Sequence, residues 1–117
     1  YKTTDAGKSW KLVLSGPNAS TGCSGITLDP SNPERLFAGT WDFRRKGWTF
    51  RSGGEGPEAK SGSGLYLSEN GGANWRELAA GQNGLPPKPY GRIEVEFAPS
   101  DPKRVYAFIE GVDSALY

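Results

Sequence analysis

Short runs of alternating apolar and polar residues recur along the chain, separated by dense turn residues. Gly25-Ile26-Thr27-Leu28-Asp29 alternates in this way, as does Arg92-Ile93-Glu94-Val95-Glu96-Phe97. Period-two alternation places successive side chains on opposite faces of a strand. A Pro-Ser-x-Pro turn follows each run, at Pro30 to Pro33 and at Pro99 to Pro102. Second strands then come at Arg35 to Thr40 and Arg104 to Ile109, and a third at Gly64 to Ser68. A fourth begins at Asn74-Trp75-Arg76-Glu77-Leu78. No window carries a helical period, so the pattern predicts an all-β chain of short antiparallel strands.

The strands belong to a repeat. Thr3-Thr4-Asp5-Ala6-Gly7-Lys8-Ser9-Trp10 matches Ser68-Glu69-Asn70-Gly71-Gly72-Ala73-Asn74-Trp75 as Ser/Thr, any, Asp/Asn, any, Gly, any, polar, Trp. Asp29 to Ala38 matches Ala98 to Ala107 at five of ten positions, with three more chemically similar. Tyr1, Tyr66 and Tyr117 fall at equivalent points of the unit. Four short strands per unit of roughly 50 residues is the pattern of a propeller blade. The eight-residue box has a mechanical reading. Asp5 and Asn70 accept bonds from N–H groups of their own turn, Gly7 and Gly72 permit positive φ, and Trp10 and Trp75 wedge between sheets. The box recurs from unit to unit, which suits structure better than catalysis.

These boxes resemble the Asp-box of BNR-repeat β-propellers, the bacterial "BNR repeat glycosyl hydrolase" and sortilin-like proteins. The second box departs from that pattern, with Asn70 for Asp and Asn74 for Thr/Ser. The resemblance implies a fragment with one complete blade at 22–80, carrying a long loop at 41–63. Residues 1–21 would close a preceding blade and 81–117 would connect to and open the next. The remaining blades of the same propeller are then the first partners. The family includes sialidases, xyloglucan hydrolases, sortilin-type receptors and photosystem assembly factors. The boxes specify the fold and not the activity. The expected function is a recognition scaffold for protein or glycan in an exported protein. Part of a glycoside hydrolase, or an assembly factor for a membrane complex, are the alternatives.

The two units differ by 14 residues, since Tyr1 to Tyr66 spans 65 positions and Tyr66 to Tyr117 spans 51. The excess lies between the second and third strands. Its first half, Trp41 to Arg51, is rich in aromatics and Arg, and its second half is rich in Gly and Ser. By the resemblance, this loop shares a rim with the blade connection at Gly81 to Arg92, opposite the box turns. Trp and Arg are enriched at binding hot spots, and Arg grips carboxylates in bidentate fashion. Trp41, Arg44, Arg45, Trp48, Arg51 and Arg92 are therefore the candidate subsite for a glycan, an anion or a peptide. The competing reading has Trp41 and Phe43 continue the strand and the basic residues form a solvated turn or an interdomain contact.

Composition narrows the chemistry. The net charge of +1 sets up no field for nucleic acid, and no apolar run is long enough for membrane insertion. His is absent and Cys23 is alone, which removes His-based catalytic triads, His-ligated zinc, thiolate cages and an internal disulfide. No metal site and no cofactor is expected. Asp42, Glu110 and Asp113 lie near the ends of second strands, but no acid pair carries a glycosidase motif, and no catalytic residue is assigned. Asn18-Ala19-Ser20 is an N-glycosylation sequon, and Cys23 is expected to be a buried small apolar residue. The absence of Met and the strand-like runs at both ends read as cuts through a longer array. A lone unit exposes both broad faces, so this chain alone is expected to aggregate or fold poorly.

Overall fold

A computed structural model of the chain describes residues 1–46, 49–53, 61–111 and 114–117. Those residues form no helix. They form β1 (Thr21–Asp29), β2 (Asn32–Lys46), β3 (Thr49–Ser52), β4 (Gly64–Ser68), β5 (Arg76–Glu77), β6 (Ile93–Ala98), β7 (Asp101–Ile109) and β8 (Ala115–Leu116). The first sheet has the order β1-β2-β4-β5, with β3 paired to the far end of β2. The second has the order β6-β7-β8. All pairings are antiparallel.

The second sheet copies the first pair by pair. Ile26↔Ala38, Thr27↔Phe37 and Leu28↔Leu36 correspond to Val95↔Ala107, Glu96↔Tyr106 and Phe97↔Val105. Both first hairpins shift register at their last step, to Asp29↔Asn32 and to Ala98↔Asp101. Gly39↔Leu65 and Thr40↔Gly64 correspond to Phe108↔Leu116 and Ile109↔Ala115. The Lys2↔Lys11 bridge matches Leu67↔Arg76. The equivalence of Tyr1, Tyr66 and Tyr117 read from the sequence is thus the equivalence that the hydrogen-bond ladders show.

Both boxes fold into the same turn. In the first, Thr3 Oγ1 donates to Asp5 Oδ1 at 2.8 Å and accepts from Gly7 N at 2.9 Å. Ser9 N donates to Asp5 Oδ1 at 2.9 Å, and Trp10 Nε1 to the Gly7 carbonyl at 3.1 Å. In the second, Ser68 Oγ donates to Asn70 Oδ1 at 3.1 Å and accepts from Gly72 N at 2.8 Å. Asn74 N donates to Asn70 Oδ1 at 2.8 Å, and Trp75 Nε1 to the Gly72 carbonyl at 3.2 Å. The turn needs two successive left-handed residues, Ala6 and Gly7 (φ 56° and 89°) or Gly71 and Gly72 (φ 64° and 81°). Glycine at the second position, where φ is largest, removes the Cβ clash.

The sheets stack face to face. The front of the first sheet meets the back of the second through Leu65, Ile93, Val95, Ala107 and Ile109, with Tyr90 of the connection closing the core. Phe37 and Phe97 meet edge-on at 5.4 Å. A Cβ on Gly39 would lie 2.7 Å from the Ile93 carbonyl, so this glycine sets how closely the sheets approach. Arg35 clasps both units. It pairs with Asp29 at 2.7 Å, lies 5.2 Å from the Phe97 ring and donates to the Pro102 carbonyl.

Three expectations change. The segment 41–63 is a β-ribbon in its first part, because β2 runs on to Lys46 and turns back as β3, with Arg44 opposite Arg51. The fourth strand is only Arg76–Glu77. Cys23 is exposed, because β1 presents it opposite Thr40 beside a bulge, on a side that packs against little of the described chain.

Burial separates equivalent positions. Leu65 is 3 % exposed and its counterpart Leu116 is 63 % exposed, because only the first has a sheet in front of it. Truncating Leu65 to Ala should cost about 2–5 kcal/mol. The same change at Leu116 should stay within about 0.5 kcal/mol in the monomer. Urea unfolding of dilute chains checks the contrast.

Candidate functional site

Strand direction decides which loops share a rim. Leu36 pairs with Ser68, so the box turn leaves the sheet beside the β1–β2 turn. The ribbon leaves β2 at the opposite end. Leu78 N donates to the Leu65 carbonyl at 2.8 Å, which carries the chain to the ribbon end before the connection to β6 begins. The ribbon and the connection therefore share one rim, away from both boxes, as expected.

On that rim a hydrogen-bonded chain joins the two sheets. Trp41 Nε1 donates to Ser52 Oγ at 2.8 Å, and Ser52 Oγ donates to Glu110 Oε2 at 2.6 Å. The same carboxylate oxygen accepts from Arg92 N at 2.8 Å. The Arg92 guanidinium lies 5.7 Å from the Trp41 ring, within cation–π range, and pairs with Glu94 at 2.5 Å. Phe43 packs beside Trp41 with ring centroids 4.6 Å apart. Ribbon and second sheet are thereby held in one geometry by indole, hydroxyl and carboxylate.

Of the candidate residues, the structure brings Trp41 and Arg92 together. Arg44 is half-buried on β2, and Arg45 beside it is exposed. Arg51 lies on β3, opposite Arg44 in register. Trp48 and Asp113 lie outside the described residues. Ser52 and Glu110 complete the rim, and sequence reasoning did not assign them to it. A Ser in a Gly/Ser-rich stretch carries no pattern, and the contact spans 58 positions.

Asp42 is a different kind of group. It is 1 % exposed and accepts from Asn18 Nδ2 at 2.8 Å, Ser20 Oγ at 2.6 Å and Gly62 N at 3.0 Å. Its own N–H donates to Ser63 Oγ at 2.8 Å. Burial works against its charge. The Ser20 hydroxyl, the Gly62 N–H, the Asn18 amide and nearby Arg44 outweigh that cost, so the carboxyl titrates below its ordinary range. Asp42 thus anchors residues 18–20 and 62–63 to β2. The sequon acquires a structural explanation. The Asn18 amide donates to Asp42, while its oxygen accepts from Ser20 N, Ser20 Oγ and Thr21 Oγ1.

Among the described residues, no group of three or more potential ligands could hold a metal ion, and no helix is long and apolar enough to cross a membrane. No protein-family model, curated protein or solved structure matches the chain.

The Asp42 carboxyl is depressed in the folded state, so its contribution is complete above the unfolded carboxylate pKa of about 3.9. It is lost as pH falls through the lower folded value. Asp42→Asn should destabilise by about 3 kcal/mol near neutrality, through loss of charge-assisted hydrogen bonds. It should also flatten the loss of stability below pH ~4. Urea midpoints across a pH series read both effects.

Proposed function

We propose that this chain is part of an Asp-box β-propeller that acts as a recognition scaffold, taking a glycan or peptide ligand on the ribbon rim. The fold half of this reading is supported by two sheets that repeat strand order and register, stacked face to face, and by two box turns with the same hydrogen bonding, at residues 3–10 and 68–75. In that reading the first sheet is a blade, the second sheet is the beginning of the next, and residues 1–14 are the outer part of the blade before.

The observation that carries the ligand half is the clamped ribbon. A 15-residue strand outruns its sheet and is fixed to the neighbouring sheet through Trp41, Ser52 and Glu110. Such pre-organisation lowers the entropic cost of presenting Arg44 and Arg45 to a ligand. Arg92 is already paired with Glu94 and covers Trp41, so its part is to shape the platform. The hydrolase alternative gains no support from this segment. Asp42 is saturated with structural hydrogen bonds, and Glu110 holds the ribbon.

Glycan and peptide arrays probed with the chain, followed by titration of the hits, test the ligand half. The paired substitution Arg44→Ala and Arg45→Ala should weaken binding at least about tenfold, or 1.4 kcal/mol. Lys103→Ala, at the box end, should leave it unchanged. Equal binding by the paired variant, or no binding by the parent chain, contradicts the ligand assignment.

A further inference from the structure

Alternation along β2 sends odd- and even-numbered side chains to opposite faces. Phe37 meets Phe97, Gly39 lies against the Ile93 backbone, and Trp41 reaches Glu110 through Ser52. Odd positions therefore form the front, toward the second sheet. Phe43 packs beside Trp41 and stays on that front. Even positions form the back. Thr40 Oγ1 donates to the Gly62 carbonyl, and Asp42 accepts from Asn18, Ser20 and Gly62. Arg44 follows them: it is half-buried, and its charge acts on Asp42. Arg45, the next residue, then falls on the front, beyond Phe43. The two cations of the candidate subsite lie on opposite faces of the ribbon.

A second observation concerns the polar groups of that front, which are committed to one another. The Trp41 indole N–H is taken by Ser52, and the Ser52 hydroxyl by Glu110. The Arg92 guanidinium is taken by Glu94 while it lies over the Trp41 ring. The Ser61 hydroxyl is taken by the Tyr90 carbonyl. A sugar presents many hydroxyls, and each needs a partner once it leaves water. Groups already paired leave those hydroxyls unsatisfied. What the front still offers is simpler. Phe43 gives half-buried aromatic surface, and Arg45 is exposed and makes no ion pair among the described residues. A guanidinium grips a carboxylate through two parallel hydrogen bonds.

We infer that the front of the ribbon takes an acidic peptide: an Asp or Glu side chain of the peptide pairs with Arg45, and an apolar side chain two places away packs against Phe43. An extended peptide places same-face side chains about 6.6 Å apart, the spacing that β2 gives Phe43 and Arg45. Arg44, on the back, belongs to the Asp42 anchor and does not touch the peptide. The inference rests on the reading of the ribbon rim as a ligand site and names the ligand's class.

Calorimetric titration of the 117-residue chain tests this with three sets of probes. The first is capped short peptides with Phe and Glu two places apart, in either order. The second is the same peptides with Gln for Glu, and the third is neutral and acidic oligosaccharides. The best Glu peptide should bind at least tenfold more tightly than its Gln partner and than any oligosaccharide. Arg45→Ala should remove the preference for Glu over Gln. It should also cost at least fivefold more affinity for the Glu peptide than Arg44→Ala does. Arg45→Gln keeps the side-chain stem and serves with the same expectations where Arg45→Ala fails to fold. Tightest binding to an oligosaccharide, equal affinity for Glu and Gln peptides, or a loss from Arg44→Ala as large as that from Arg45→Ala would each overturn the inference while the rim stands as a ligand site. Binding of no probe would overturn the inference and the ligand reading together.

Discussion

One side-chain acceptor makes the two box turns copies of each other. At the third position of each box, an Asp or Asn oxygen takes the N–H of the residue four places on. The Ser/Thr two places before it takes the N–H of the box glycine. These bonds satisfy backbone donors that would otherwise be stranded in a sharp reversal. The reversal returns the chain at a fixed register, and the indole that ends it is tied back to the glycine carbonyl. The chain after the second box inherits that register: the fourth strand and the rim at which the next connection starts. The expected wedge is not what Trp10 forms, since it is 61 % exposed and its indole closes its own turn.

Stacking imposes the second constraint. A sheet of this kind has two apolar faces, and the chain covers the front of the first and the back of the second at once. Small residues set the spacing, since Gly39 lets the Ile93 backbone approach, and Arg35 reaches across from Asp29 to the second sheet. At the position equivalent to Gly39 the second sheet carries Phe108, which is exposed. The front faces are thus alike in register and unlike in shape.

The sequence made the local parts legible. Alternation at Ile93 to Phe97 gave a strand because one face is buried, and the boxes were readable because the side-chain hydrogen bonds that shape each turn close within eight residues. Long-range parts were hidden. The ribbon at Arg44 to Lys46 is polar and has no alternation, and its strand character comes from pairing with residues 49–52. Asp42 read as an acid near a cleft, but its partners lie 20 to 24 positions away and make it an anchor. Asn18 read as a sequon for the same reason. Of the rim, Trp41 and Arg92 were legible as residue types. The Ser52–Glu110 bond that fixes their geometry was not, because it joins two units of the repeat.

The central claim is that the two box turns are the same physical object. The Asp5 carboxyl is pulled from 3.8 to about 2, chiefly by the Ser9 hydroxyl, then by the Ser9 N–H and the Thr3 hydroxyl. The second box keeps the Ser68 hydroxyl and the Asn74 N–H in the corresponding places. Carboxyl ¹³C titration of the chain carrying Asn70→Asp, with Asn74→Ser to restore the hydroxyl, tests the equivalence directly. The account predicts that the new carboxyl titrates with Asp5, near 2. A carboxyl at position 70 that titrates near the ordinary value of about 3.9 would contradict it.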